Sequence, residues 1–173
     1  MVHEQGVPLQ FLRFCHSQPV QYLYTTFTGV ATGTTATVDE DSIPQIAEGD
    51  EYLSRAITPT SAANVLQVSV NAVFATATAA QVMIMALFQD AVSDALVAVQ
   101  DRTVAISITI QMALFHQMKA GTSSSTTFSV RAGATTGNTV TFNGEAGARR
   151  LGGVMGSHIR ITGAVLARVF NNR

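Results

Sequence analysis

Alternation of apolar and polar side chains is the feature that most constrains the fold of this chain. In residues 66–74 every even position is apolar, whereas Gln67, Ser69 and Asn71 lie between them. Successive side chains of a β-strand point to opposite faces, so a period of two predicts a strand with one buried face. A helix has a period of 3.6 and would not give this pattern. Residues 66–74 are therefore predicted to form a strand.

Residues 104–114 repeat the pattern over a longer stretch. Six apolar side chains fall on one face: Val104, Ile106, Ile108, Ile110, Met112 and Leu114. If all six face inward, each contributes roughly 1.5 to 3 kcal/mol through burial. This strand is predicted to be a main part of the core, and the substitution Ile108→Asp is predicted to prevent folding.

Residues 82–88 are apolar on both faces, which predicts a central strand covered on both sides or a strand with its outer face in a subunit interface. Residues 90–101 have helical character, because Val92, Leu96 and Val99 recur at roughly helical spacing. Weaker strand patterns occur in residues 21–28, 51–58, 127–132, 139–142 and 158–166, the last with Ile159 and Ile161 inward.

Turn-forming residues separate these segments, among them Asn143-Gly144, a dipeptide that favours the positive φ angles of a tight hairpin. About eight strands without the spacing of parallel βαβ units predict an all-β domain. Its expected architecture is an antiparallel two-sheet sandwich, jelly-roll-like, in residues 19–173. Residues 1–18 fit this pattern less well, and predict either an arm that docks onto a neighbouring chain through Phe11, Leu12 and Phe14 or a plain edge strand.

The composition favours assembly. Charged residues make up 12% of the chain against an ordinary value of about 25%, while apolar residues make up 47%. Ser, Thr, Asn and Gln side chains are expected to solvate part of the surface, and other copies of the chain to cover the rest. The net charge of −1 gives no case for nucleic acid as a partner.

The residues predict no enzymatic site and no cofactor. Ser157 and His158 are adjacent in sequence, so on a strand they point to opposite faces and do not meet. The four histidines show no zinc-ligand spacing, and the single Cys15 excludes an intrachain disulfide. The acidic residues 39–41, with Glu48, Asp50 and Glu51, are expected to form a solvated loop, with calcium binding as the alternative.

Arg149 and Arg150 lie in a glycine-rich stretch, residues 144–153. Planar guanidinium groups suit a sugar acid, a phosphate or a neighbour's acidic loop, and a solvated turn is the alternative. The N-terminal residues show no signal-peptide pattern, and no apolar run reaches the roughly 18 residues of a transmembrane helix. Secretion by signal peptide and membrane insertion are not expected.

Several short blocks resemble a β-sandwich module of bacteriophage tail-fibre, appendage and head-decoration proteins. They are TFSVRAG at 127–133, TFNG at 141–144, GGVMGS at 152–157, IRIT at 159–162, DSIPQ at 41–45, EGD at 48–50 and ALFQD at 86–90. The resemblance spans about residues 20–166. It implies a jelly-roll-like homotrimer on the virion surface, made in the host cytoplasm.

The partners implied by the resemblance are other copies of the chain, other virion proteins and host-surface polysaccharide. Such a protein either contacts the host or clamps capsid subunits. The alternative of a different class is a lectin-like carbohydrate-binding module or a glycan-active enzyme, because the polar Ser, Thr and Asn side chains of the loops suit contact with sugars.

Overall fold

The computed structural model describes residues 18–78 and 81–165. Eight strands of six or more residues are β1 (Gln18–Phe27), β3 (Asp50–Ile57), β4 (Val65–Thr76), β5 (Val82–Gln89), β6 (Val97–Arg102), β7 (Thr109–Lys119), β8 (Thr126–Ala134) and β12 (Ser157–Val165). Four shorter strands are β2 (Ala31–Gly33), β9 (Val140–Phe142), β10 (Gly144–Glu145) and β11 (Ala148–Arg149). Within these described residues, no helix has the length and apolar character needed to cross a membrane.

The long strands form two antiparallel sheets. The first sheet has the order β1, β12, β4, β7, and the second has the order β3, β8, β5, β6. Counted in chain order among the eight long strands, these orders are 1-8-3-6 and 2-7-4-5, the strand arrangement of a jelly roll. The prediction of an all-β, two-sheet sandwich with about eight main strands is confirmed.

The core lies between the two sheets and explains the alternation. In β4 the even-numbered side chains from Leu66 to Phe74 are at most 2% exposed, as predicted. Ile159 and Ile161 of β12 are fully buried against them. Strand β5 is buried on both faces, because the segment that contains Val38 and Pro44 lies over its outer face at Ile84. The first of the two alternatives for residues 82–88 is therefore the observed one.

The prediction for residues 104–114 is wrong in its first half. Strand β7 begins at Thr109, and the side chains of Val104, Ile106 and Ile108 are 75%, 63% and 40% exposed. Ser107 has a positive φ of 58° and donates its N–H to the Thr76 carbonyl, so the chain turns here instead of extending the strand. In the second half, Met112 and Leu114 are buried and Ile110 is partly buried.

The predicted helical character of residues 90–101 is also wrong. The chain turns at Asp90, whose φ is 51°, and residues 97–102 form the edge strand β6. The Asp90 carboxylate accepts hydrogen bonds from the Thr126 hydroxyl and the Thr127 N–H, both at 2.8 Å. This anchoring and the pairing of β6 with β5 outweigh a local helical pattern.

The Asn143-Gly144 dipeptide does not form the predicted hairpin turn. Asn143 has a positive φ of 52°, but Gly144 begins β10. The hairpin of β10 and β11 turns instead at Ala146 and Gly147, whose φ angles are 48° and 75°. Positive φ at both central residues is the requirement of the tight type I′ turn.

Two polar residues, Ser157 and Asn143, bridge a gap in the first sheet. Strand β12 pairs with one edge of β4 as far as Asn71, and β9 pairs with the same edge from Phe74 onward. Between them, the Val73 N–H donates to Ser157 Oγ at 2.9 Å, and the Val73 carbonyl accepts from the Asn143 N–H at 3.0 Å. Ser157 Oγ donates to Asn143 Oδ1 at 2.6 Å. The Ser157 hydroxyl and the Asn143 backbone N–H thus replace the missing ladder bonds.

The two ends of the sandwich differ. At one end Gln18 pairs with Val165, so the described chain begins and stops at adjacent positions. The opposite end is about 37 Å away along β4 and holds the connections that follow β1, β4, β6 and β8. Apart from residues 34–49, which run over the second sheet, these connections expose six large apolar side chains, here called the apolar end: Val30, Val104, Ile106, Ile108, Leu151 and Val154.

Candidate functional site

The outward side of the first sheet carries an unusual set of side chains for a solvated face. Strand register places them in rows that cross β1, β12, β4 and β7. We call this set the outer face: Tyr22, Tyr24, Thr26, Gln67, Ser69, Asn71, Gln111, Ala113, Phe115, Gln117, His158, Arg160 and Thr162.

The central row of the outer face combines aromatic rings with one cation. Arg160 stands opposite Tyr24 on one side and Ser69 on the other, and Phe115 follows on β7. Arg160 Nη2 donates to Ser69 Oγ at 3.0 Å. Tyr24 and Phe115 are 50% and 56% exposed, and Tyr22 in the next row is 64% exposed. Large aromatic area therefore faces solvent on regular, rigid strands.

Amide side chains fill the β4–β7 half of the outer face. Gln67 Nε2 donates to Gln117 Oε1 at 3.2 Å, and Gln111 Nε2 donates to Asn71 Oδ1 at 2.8 Å. Each pair joins directly or diagonally opposed positions of the two strands. The pairing orders the four amide groups while leaving further donors and acceptors on each.

The outer face contains no carboxylate. Its permanent positive charge is Arg160, and Lys119 extends the cationic character to the end of β7. A negative group enters only at the β6 side, where Asp101 lines a cleft of about 140 Å³ together with Gln111 and Ala113. The half of the face formed by β1 and β12 is thus cationic and aromatic.

The predicted contact residues Arg149 and Arg150 lie together on the β10–β11 hairpin and its exit. Arg150 Nε is 3.0 Å from Glu145 Oε2, so this guanidinium is already paired within the hairpin. The Arg149 side chain packs over Gly153, where an added Cβ would lie 2.9 Å from Nη1. Both arginines are exposed, and among the described residues Glu145 is the polar side chain that forms a hydrogen bond with either of them.

The other predicted contacts, Phe11, Leu12 and Phe14, lie outside the described residues, as does the arm they belong to except for Gln18, the first residue of β1.

Two of the carboxylates that suggested a calcium loop, Glu48 and Asp50, accept hydrogen bonds from the chain itself. Glu48 accepts from the N–H groups of Val38 and Gln45 at 2.9 and 3.0 Å. Asp50 accepts from the Thr35 N–H and hydroxyl at 2.9 and 2.8 Å. These bonds fix the segment that covers the second sheet. In the described part of the chain, no group of three His, Cys, Asp or Glu side chains could hold a metal ion.

Ser157 and His158 are separated as predicted. Ser157 is fully buried, with its hydroxyl donated to Asn143, whereas His158 lies on the outer face with its ring centroid 5.2 Å from that of Tyr24. Their side chains do not form a nucleophile and base pair. A different histidine, His116, lies on the inward side of β7, and burial lowers its pKa below the ordinary value.

Comparisons with known proteins show only distant likeness. No protein-family model and no curated protein sequence matches the chain. Among solved structures, the EclA C-terminal domain, a sugar-binding protein, aligns with a TM-score of 0.37 and 15% identity over 80% of this chain and 85% of that one. A structure of the infectious bursal disease virus Gt strain aligns with a TM-score of 0.40 and 10% identity over 96% of this chain.

The VP2 subviral particle of infectious bursal disease virus aligns with a TM-score of 0.36 and 9% identity over 96% of this chain. The chain spans less than half of the length of these viral chains, 43% of the Gt-strain chain and 42% of VP2. The jelly-roll assignment itself stands on the strand order given above.

Sequence reasoning missed the outer face. Its signal was present, since Tyr22 and Tyr24 alternate with inward-facing positions of β1 and Arg160 stands between Ile159 and Ile161. The outward-facing positions of a strand are ordinarily interpreted as solvated surface. Aromatic residues at those positions are the sequence signal that distinguishes this face from an ordinary solvated surface.

Proposed function

We propose that this chain is a non-enzymatic, homotrimeric surface protein of a bacteriophage virion, made in the host cytoplasm. The observation that carries the proposal is the apolar end. Six large apolar side chains on connections at one end of the sandwich are 38% to 81% exposed. Large exposed apolar patches commonly mark sites of protein contact, and these side chains are concentrated at the same end of the fold.

The charge content supports assembly through this end. With 12% charged residues, the chain has few groups to solvate a monomer, and its exposed apolar side chains have no cover within the described structure. Closed symmetric oligomers bury such patches, and a three-fold axis at the apolar end would bring three copies of the same connections together.

The jelly-roll strand order supports the virion assignment at the level of fold. This architecture occurs in viral capsid and lectin domains, although a fold does not define a function. The resemblance of the sequence blocks to phage surface modules points to the virion. Assembly through the apolar end would leave the outer face accessible for contact with a host surface or with capsid subunits.

Three polar side chains considered for catalysis or metal binding have structural roles. Ser157 holds the sheet together through Asn143, and the acidic side chains Glu48 and Asp50 fix a covering segment. These hydrogen bonds support a structural use of the three side chains.

Light scattering of the purified chain tests the trimer. The wild-type protein is expected to have three times the monomer mass at micromolar concentration. The double variant Val104→Asp/Ile106→Asp is expected to be a folded monomer, because it places carboxylates in the proposed contact. The matched control Val92→Asp changes a 53% exposed valine in the connection between β5 and β6, at the opposite end, and is expected to keep the trimer. A wild-type monomer would overturn the proposal.

Immunogold electron microscopy of the parent phage tests the location. Label on the tail or its appendages would indicate a fibre or receptor-contacting role, and label over the head would indicate capsid decoration. Absence of label from intact particles that contain the protein in their lysate would count against a virion surface protein.

A further inference from the structure

The outer face has more apolar ring area than its position requires. Tyr22, Tyr24 and Phe115 are 50% to 64% exposed, on strands whose opposite side chains already supply the core. An aromatic ring has an apolar body, and a tyrosine adds a hydroxyl that remains in water. Sugar rings offer a matching surface, because their C–H groups pack on aromatic faces while their hydroxyl groups stay hydrated.

Arg160 supplies the charge that such a surface would use. A guanidinium has five N–H donors in a fixed plane, and the hydrogen bond from Arg160 Nη2 to Ser69 Oγ uses one of them. Within the described residues no carboxylate forms a salt bridge with Arg160. The remaining donors suit bidentate binding of a carboxylate, with Tyr24 in the neighbouring position of the same row.

Ordered amide groups complete the surface. The pairs Gln67–Gln117 and Asn71–Gln111 hold their planar groups in place on β4 and β7. Amides both donate and accept hydrogen bonds, as sugar hydroxyl groups do. The four strands span about 14 Å across the sheet, so the outer face is a flat, open platform suited to an extended chain.

From this combination we infer that the outer face binds an anionic polysaccharide, with Arg160 holding a carboxylate of the sugar chain and Tyr22, Tyr24 and Phe115 packing against its rings. The inference rests on the proposed surface-contact role and names the class of ligand for it. The ligand is expected to lie over the β1 and β12 half, away from Asp101 at the opposite side.

Two other anionic occupants fit the outer face less well. Double-stranded DNA carries one negative charge about every 1.7 Å, and a face with Arg160 and Lys119 as its permanent cations neutralises few of them. The acidic residues 39–41 of a second copy are the other anionic candidate. They form a short loop segment in which Glu40 accepts from Ser42, and they offer no flat partner for the aromatic rings.

The test measures binding of the full chain to immobilised polygalacturonate and hyaluronate, with dextran as the neutral polysaccharide and single-stranded DNA as a polyanion without carboxylates. Wild-type protein is expected to bind a carboxylate-bearing chain, to prefer it over dextran, and to bind more weakly as salt increases. Arg160→Gln and Tyr24→Ala are each expected to weaken binding at least tenfold. Arg160→Lys is expected to recover part of the affinity, because it keeps the charge without the planar fork.

Arg102→Gln is the matched control, since Arg102 is an exposed arginine at the end of β6 on the other sheet. It is expected to leave the affinity unchanged. The inference is overturned if Arg102→Gln weakens binding as much as Arg160→Gln, if dextran or single-stranded DNA binds as well as the anionic polysaccharides, or if none of the polysaccharides binds.

Light scattering on the same samples separates this inference from the proposed function. A trimer that binds neither anionic polysaccharide contradicts the ligand assignment alone. A monomer that binds them through Arg160 contradicts the trimer alone. If Arg160→Gln reduces the mass of the assembly, the outer face is a contact between copies and the polysaccharide assignment is wrong.

Discussion

At the scale of single residues, the junction at Val73 shows how a side chain and a single backbone N–H can complete a sheet. Neither β12 nor β9 reaches this position, and Ser157 and Asn143 satisfy its N–H and carbonyl instead. The sequence contained both residues in conspicuous motifs, Ser157 beside a histidine and Asn143 before a glycine. Their actual partner lies more than 65 positions away, so no local pattern could have revealed it.

Ser157→Ala is expected to lower the free energy of unfolding by about 1 to 3 kcal/mol, because it leaves the partly buried Val73 N–H and the buried Asn143 Oδ1 each without the bond to Ser157. Urea denaturation followed by circular dichroism measures the change. Ser54→Ala, at an exposed position of β3, is the matched control and should have an effect within about 0.5 kcal/mol. Equal stabilities of the two variants would contradict the role given to Ser157.

Tyr52 presents a second residue-scale case. Its ring stacks on Phe142 at a centroid distance of 5.2 Å, and its hydroxyl is buried without a hydrogen-bond partner in the described residues. Burial, and secondarily the charge of Asp50, raises the pKa of the phenol well above its ordinary value. Because the phenol ionises more readily in the unfolded state, the protein loses stability as the pH rises above the pKa of the unfolded state, near 10.

Tyr52→Phe is expected to preserve the free energy of unfolding at pH 7 or to raise it by up to about 1 kcal/mol, since it removes an unsatisfied buried hydroxyl. Above pH 10 the wild type should lose stability more steeply than the variant. Denaturation curves at pH 7 and pH 10.5 compare the two. A variant that is clearly less stable at pH 7 would show that the hydroxyl has a partner after all.

At the scale of elements, periodicity identified strands but not where they end. The β4 pattern was correct over its length because β12 and β7 flank it and an opposing sheet buries one side. In residues 104–108 the same alternation belongs to a turn whose apolar side chains point outward. Alternation of apolar and polar residues indicates which side chains are apolar, and such side chains can be buried either in a core or in an interface between subunits.

Ile108→Asp is now expected to fold, contrary to the prediction made from the sequence. The side chain is 40% exposed and precedes β7, so its charge remains in contact with water. Circular dichroism should show wild-type strand content, and light scattering should show weakened association. An insoluble product would instead indicate that Ile108 is required in the core.

At the scale of the whole molecule, composition and strand patterns were sufficient to predict the all-β sandwich. Each sheet draws its strands from distant parts of the chain, and the jelly-roll order follows from that pairing. The outer face could not be predicted, because it is assembled from alternate residues of four strands separated by up to 140 positions. Only the register brings Tyr24, Arg160, Ser69 and Phe115 into one row.

Since the two sheets share one core, a cavity in either sheet should destabilise both. Met85 and Ile161 are fully buried in different sheets. Met85→Ala and Ile161→Ala are each expected to cost about 2 to 5 kcal/mol. Denaturant unfolding should remain a single transition with an unchanged slope in both variants. Separate transitions for the two sheets would contradict a shared core.

The pairing of Gln18 with Val165 has a practical consequence for engineering. Paired residues of an antiparallel ladder lie about 5 Å apart, so a short linker could join these two positions covalently. The polypeptide could then be reopened in the exposed connection between β7 and β8, near Ser123. In a chain cut to residues 18–165, such a circular permutation would move both ends to a new site without rearranging either sheet.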